Sequence, residues 1–199
     1  MNPNLSDLIR AIQGLRRGGA ILALLSDDDR LPDPGDALAH MPAGSLMIVR
    51  SRDAARRRQQ ALALLATCRA RGIALLIAND ARLADEIGAD GVHLSEASLK
   101  RCPRRPAFLR PDAIVTAAAH DDLAIRRAEV ANLDAVLVSP VFPTKSHPGG
   151  RTLGPLRFAA MARRTSLPVL ALGGIDARSA RRLRGSGAAG VAGIGFAQT

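Results

Sequence analysis

At 199 residues with 47% hydrophobic content, the chain is long enough for one buried core and short for two, and it is not a disordered protein. Aromatic residues make up 2% and all of them are Phe, so the core must be built from Ala, Leu, Ile and Val. The net charge of +10 suits anionic ligands, but the arginines at 56–58, 163–164 and 181–182 read as solvated helix faces, and four scattered Phe residues disfavour a nucleic-acid partner.

The chain opens on an amphipathic helix carrying Leu5, Leu8, Ile9, Ile12 and Leu15, an extra element expected to plug the bottom of the fold. Eight apolar runs then recur: 20–25 (AILALL), 45–50 (SLMIVR), 73–78 (IALLIA), 91–94 (GVHL), 113–116 (AIVT), 135–139 (AVLVS), 168–172 (PVLAL) and 190–194 (GVAGI). They are continuous rather than alternating in hydrophobicity, as strands covered on both faces require. Helical patterns lie between most of them. A short one spans 34–41; the next, 54–70, places Ala55, Leu62, Leu65 and Cys68 on one stripe; others cover 81–87, 123–130, 156–163 and 177–183. This repeat predicts a single (β/α)₈ TIM barrel with an extra N-terminal helix, one domain over 1–199. An open doubly wound sheet is the competitor, and it would usually have about five or six strands.

Cys68 and Cys102 are the only cysteines, and no Cys/His spacing resembles a zinc site. No apolar run reaches the roughly 18 residues that span a bilayer, and 1–19 has no signal-peptide pattern. The expectation is a cytoplasmic protein with reduced thiols and no membrane span, its oligomeric state left open.

In such a barrel, chemistry sits at the C-terminal ends of the strands. There the runs end, in order, on Ser26-Asp27-Asp28-Asp29, Arg50-Ser51-Arg52-Asp53, Asn79-Asp80 and Ser95-Glu96; the fifth leads to His120. The sixth leads through Pro140-Val141-Phe142-Pro143-Thr144 to Lys145-Ser146-His147, the seventh to Gly173-Gly174 and the eighth to Gly193-Ile194-Gly195. Both glycine clusters let main-chain N–H groups close on an anion, and they fall in the two loops that usually hold phosphate in this fold; a tight turn is the plainer use. Arg50 and Arg52 suit diphosphate oxygens, or surface salt bridges. Asn79-Asp80 reads either as a helix N-cap or as a Mg²⁺ site built on the Asp80 carboxylate. Thr144, Ser146 and His147 offer hydroxyl and imidazole donors, and His93 reads as a core histidine.

Taken together, Asn79-Asp80, 88–94 (GADGVHL), 140–144 (PVFPT), 168–175 (PVLALGGI) and 187–191 (GAAGV) resemble the thiamine phosphate synthase family and its thiazole tautomerase branch, over nearly the whole chain from the first strand onward. The chain resembles a divergent thiamine monophosphate synthase-like member. The resemblance implies a (β/α)₈ barrel and a transferase of thiamine biosynthesis, joining hydroxymethylpyrimidine diphosphate to thiazole phosphate with release of pyrophosphate. Its partners would be these small phosphorylated substrates, and its cofactor Mg²⁺. It further implies that Arg50 contacts the diphosphate beside Asn79, with Arg52 and His147 completing the catalytic cations. Asp80 and Glu96 would bind the metal. Thr144, with Ser146 beside it, would hold the thiazole phosphate together with Gly173, Gly174, Ile194 and Gly195.

The departures from the family pattern fall on the diphosphate side. Ile48 stands for a Gln, Arg52 for a Lys, Ser98 for the second metal-binding Asp, Ala118 for a Ser and His147 for a Lys. Glu96 is then the substitute metal ligand. The catalytic His of the tautomerase branch falls at Pro140. An alternative therefore stays open: a family member that binds a phosphorylated metabolite without synthase activity.

Overall fold

The apolar runs hydrogen-bond in chain order into one closed, all-parallel, eight-stranded barrel in a computed structural model that describes residues 3–13, 15, 19–107, 109–144 and 149–197. The strands are β1 (Ile21–Leu25), β2 (Leu46–Val49), β3 (Ala74–Ala78), β4 (Gly91–Leu94), β5 (Ile114–Ala119), β6 (Ala135–Val138), β7 (Val169–Leu172) and β8 (Gly190–Gly193). After α1 (Pro3–Ile12), the helices that follow successive strands are α2 (Gly35–Leu38), α3 (Ala54–Arg71), α4 (Ala81–Glu86), α5 (Glu96–Arg101), α6 (Asp122–Val130), α7 (Gly154–Ala162) and α8 (Ala177–Arg181). A short 3₁₀ turn, Gly195–Ala197, follows β8. The TIM barrel and its N-terminal helix are thus as the strand count predicts.

Successive residues of each strand are buried: Met47, Ile48 and Val49 on β2, and Leu75, Leu76 and Ile77 on β3, are inaccessible to solvent. One face packs into the barrel and the other under the helices, which is why the runs carry no polar alternation. The barrel closes where β8 pairs with β1, Leu22 lying opposite Val191. No helix among the described residues is long and apolar enough to cross a membrane. Both cysteines are free; burial pushes the Cys68 thiol up to about 11, with Asp90 adding to it, which makes the thiol inert.

Three local expectations are corrected. The N-terminal helix does not plug the barrel's bottom: it lies against α8 and the 3₁₀ turn, burying Leu5, Leu8, Ala11 and Ile12. No α-helix follows β8 among the described residues, so the outer flank beside β8 is open to this apolar stripe. In α3 the inward line is Ala61, Leu64 and Cys68, while Ala55 is exposed and Leu62 is 48% exposed. An alanine-rich helix carries apolar residues on several faces, so composition alone does not orient it. Finally, α5 went unpredicted. It spans six residues and buries only Leu99, too little for a helical period to register.

The loops at the C-terminal ends of the strands carry many polar residues, and most of the helices consume one. Asp53, Asp80, Ser95, Asp121 and Asp176 each accept a backbone N–H as the N-cap of α3, α4, α5, α6 and α8. What remains on that rim after capping is what can bind a ligand.

Candidate functional site

The rim beyond β1, β2 and β3 is a guanidinium–carboxylate network. Ser26 is fully buried; its hydroxyl accepts from Arg50 N at 2.8 Å and donates to Arg50 O at 3.3 Å, fixing that backbone. The Arg50 guanidinium then meets Asp27 Oδ2 at 2.6 Å. Asp27 also takes Arg30, Nη2 to Oδ2 at 2.9 Å, and the bonds from Arg30 outweigh burial to hold its carboxyl well below the usual carboxylate range. Asp28 accepts from Arg52 N at 3.1 Å, which with the Ser51 hydroxyl lowers its carboxyl, and it lies 3.7 Å from Arg56 Nε. The Arg52 side chain is exposed.

Arg57 is the residue the sequence reading missed. It was grouped with Arg56 and Arg58 on a solvated face, yet its side chain is 16% exposed and turned to the rim. Its Nη1 donates to Ser51 O at 2.9 Å and its Nη2 to Asp80 Oδ2 at 2.8 Å. The other Asp80 oxygen accepts Leu83 N at 3.0 Å. Burial raises the Asp80 carboxyl, but the Leu83 N–H and Arg57 outweigh it and leave it below its ordinary value. Arg58, by contrast, is a surface partner of Glu86.

Asn79 holds the turn between β3 and α4: its φ of 55° is left-handed, and its Oδ1 accepts Ser95 N at 2.7 Å. Glu96 accepts His120 N at 2.9 Å, and His120 Nδ1 donates to Ser139 O at 2.7 Å. Ser98 is bonded to Ser95, hydroxyl to hydroxyl at 2.9 Å. The residues present therefore do not fit Mg²⁺ as the resemblance implies. One Asp80 oxygen caps a helix and the other already carries a cation; Glu96 is bound to a different neighbour. No group of three His, Cys, Asp or Glu among the described residues could hold a metal ion.

His93 lies in the core between these parts, with Nδ1 2.8 Å from Thr116 Oγ1. Burial, then the charge of Arg50, pushes its pKa down to about 4. The unfolded chain, with an ordinary histidine value near 6.5, binds this proton more readily than the native state does. Stability is therefore present above pH 6.5 and lost as pH falls toward 4, by about 3 kcal/mol in all for this one group. Urea unfolding at intervals from pH 7.5 to 4.5 should show the loss, and His93→Asn should flatten it. A wild-type stability that does not change over this range refutes the assignment.

On the opposite side, the loop after β6 rests on the glycine turn after β7. Phe142 N donates to Gly173 O at 3.0 Å and Val141 N to Leu172 O at 2.9 Å. Gly173 and Gly174 have φ of 98° and 64°, and a Cβ on Gly174 would sit 2.3 Å from Pro143 O. Both glycines are thus required by the turn and by the loop stacked on it. Among the described residues, no hydrogen bond runs from the Gly174 or Gly195 N–H groups to another backbone group. Ile194 is buried, Gly195 is exposed at the start of the 3₁₀ turn, and Thr144 is half-buried and bonded. Ser146 and His147, with Lys145, lie outside the described residues. A cavity of about 350 Å³ opens beside Gly174, lined by Phe142, Pro143, Asp176, Arg178, Ser179 and Arg182, with the Arg182 guanidinium 5.1 Å from the centre of the Phe142 ring.

A family model described as thiamine monophosphate synthase matches residues 36–196. The thiamine-phosphate synthase of Thiobacillus denitrificans is 34% identical over 180 residues, covering 85% of this chain and 82% of that protein. That of Nitrosococcus oceani is 35% identical over 183 residues, covering 87% and 83%. Among solved structures, a thiamine phosphate pyrophosphorylase from Pyrococcus furiosus shares the fold, with a TM-score of 0.69 at 20% identity over 93% of this chain and 87% of that one.

Proposed function

The chain belongs to the thiamine monophosphate synthase family, and from that premise we propose that it joins hydroxymethylpyrimidine diphosphate to thiazole phosphate, releasing pyrophosphate, as one barrel domain acting in the cytoplasm. It is a thiamine-phosphate synthase-like protein of thiamine biosynthesis, and its substrates are small and phosphorylated. The observation that supports this reading is the presence of two separate sets of hydrogen-bond donors on one rim, each suited to an anion. The Arg50 corner stands beyond β2, and the N–H groups of Gly174 and Gly195 stand beyond β7 and β8. A reaction that unites two phosphorylated substrates needs both.

In this reading Arg50, its backbone gripped by Ser26 and its guanidinium aimed by Asp27, takes the diphosphate oxygens, with Arg52 beside it and Asn79 holding the turn. Gly174, Gly195 and Thr144 hold the monophosphate of the thiazole, with Gly173 shaping the turn, Ile194 packed beneath, and Ser146 and His147 contributing from the loop after β6. The pyrimidine CH₂–O bond breaks as negative charge accumulates on the departing diphosphate, where Arg50 is already oriented. The thiazole nitrogen then forms the new C–N bond. Catalysis is mostly leaving-group stabilisation and positioning, and no proton need be removed from either partner. His93, neutral at pH 7, adds no like charge below the arginines.

Incubation with both substrates and measurement of pyrophosphate and thiamine phosphate tests this, with both products expected in equal amounts. The absence of pyrophosphate at enzyme concentrations matching the substrates sinks it. A second reading is favoured by Ile48 and Ser98 and by the Arg57 pair on Asp80: binding of a phosphorylated metabolite without group transfer. It predicts that thiazole phosphate raises the melting temperature while no pyrophosphate appears.

A further inference from the structure

We propose that Arg57 is the resident cation of the diphosphate corner, so that this chain binds a diphosphate without a divalent metal ion; the inference rests on the synthase-like reading of that corner. Arg57 lies in the first turn of α3, and its position is determined at both ends of the guanidinium, by Ser51 O at 2.9 Å and by Asp80 Oδ2 at 2.8 Å. It is the more buried member of the Arg57–Asp80 pair, at 16% exposed against 27%. An ion arriving at Asp80 would have to displace it.

Two physical arguments make that displacement unfavourable. First, the carboxylates at this corner already have cations: Asp27 has Arg30 and Arg50, Asp28 has Arg56, and Asp80 has Arg57. Mg²⁺ gives up its waters reluctantly and is drawn to carboxylates whose charge is not yet met. Second, Arg57 Nε is already buried without a partner among the described residues, so expelling the head group from Asp80 would strand a mostly buried guanidinium with its counter-ion lost and its hydrogen bonding incomplete. Among the described residues, no group of three His, Cys, Asp or Glu is arranged to hold an ion in its place. Guanidinium groups meet paired phosphoryl oxygens directly, and on this rim Arg50 is held by Asp27 beyond β1 while Arg57 is held by Asp80 beyond β3.

Calorimetric titration of the whole protein with inorganic pyrophosphate, in a chelator-containing buffer and again with millimolar Mg²⁺, reads this out. The wild-type dissociation constants should agree within about twofold, far from the tenfold that about 1.4 kcal/mol of metal binding would bring. Arg57→Gln should weaken binding at least about tenfold in chelator and regain it with Mg²⁺, as the freed Asp80 recruits the ion. Asp80→Asn, which keeps the helix cap, should tighten binding in chelator by removing the charge that offsets Arg57; a metal-ligand role for Asp80 predicts the opposite. Wild-type binding that appears only with Mg²⁺ overturns the inference and leaves the synthase reading standing. Absence of pyrophosphate binding in both buffers overturns the two together.

Discussion

Gly190→Ala is expected to be among the most destabilising single-methyl changes in the barrel, with a urea midpoint far below that of the wild type. Gly190 opens β8 and pairs with Ile21 of β1 on one side and Leu170 of β7 on the other, so it stands at the seam where the barrel closes. A Cβ there would lie 1.9 Å from Ile21 O and 2.7 Å from Ile21 C, both backbone atoms that cannot swing aside. The two strands must separate, and separating them opens a closed sheet and exposes two edges of unpaired N–H and C=O groups. A loss of about 4 kcal/mol or more follows, against a typical total of about 5–15 kcal/mol. Gly44→Ala is the control: its φ of 79° is left-handed, but nothing lies within 4 Å of the added carbon, so it should lose only about 1–2 kcal/mol. Urea melts of the two variants decide the matter. Equal midpoints would mean that β8 can shift without opening the seam.

Arg50→Ala is expected to lower kcat/KM for pyrophosphate release by about 10²–10³, the range seen when one oriented charge-stabilising donor is lost. The fall should sit mainly in kcat, because charge on the diphosphate grows as the bond breaks. Stability should change little: the side chain is 45% exposed, and Asp27 keeps Arg30 as its partner. Arg50→Lys should recover part of the rate, keeping the charge while losing the planar fork. A second signature separates local electrostatics from general damage. The Arg50 charge contributes to the lowered pKa of His93, so its removal should shrink the stability lost between pH 6.5 and 4. A rate within threefold of wild type would place the diphosphate elsewhere on the rim.

Much of this protein was legible in its residues because the signals are local. Continuous apolar runs report strands buried on both faces, and their number reports the barrel. Gly173-Gly174 forms the left-handed turn after β7 that its two glycines suggest, since a positive φ such as that of Gly174 is a property of one residue and its neighbours, whereas Gly193 ends β8 and Gly195 opens the 3₁₀ turn.

Tertiary structure alone decided how the rim's charges are spent. Asp80 reads as a cap, the commoner use, or as a metal ligand; the cap is seen on one oxygen and Arg57, 23 positions away, on the other. Arg50 reads as a diphosphate contact or a surface salt bridge, and Asp27, also 23 positions away, shows that it makes the ion pair. Arg57 itself is indistinguishable from Arg56 and Arg58 in a triple-arginine run, because the turn of α3 that points one inward is set by Ala61, Leu64 and Cys68 packing on the barrel. The seat of α1 against α8 was hidden for the same reason, joining residues from opposite ends of the chain. Local hydrophobic pattern determines which segments become strands and helices; which charged groups neutralise one another depends on side chains brought within 3 Å by closure of the barrel, and no window of sequence contains both partners.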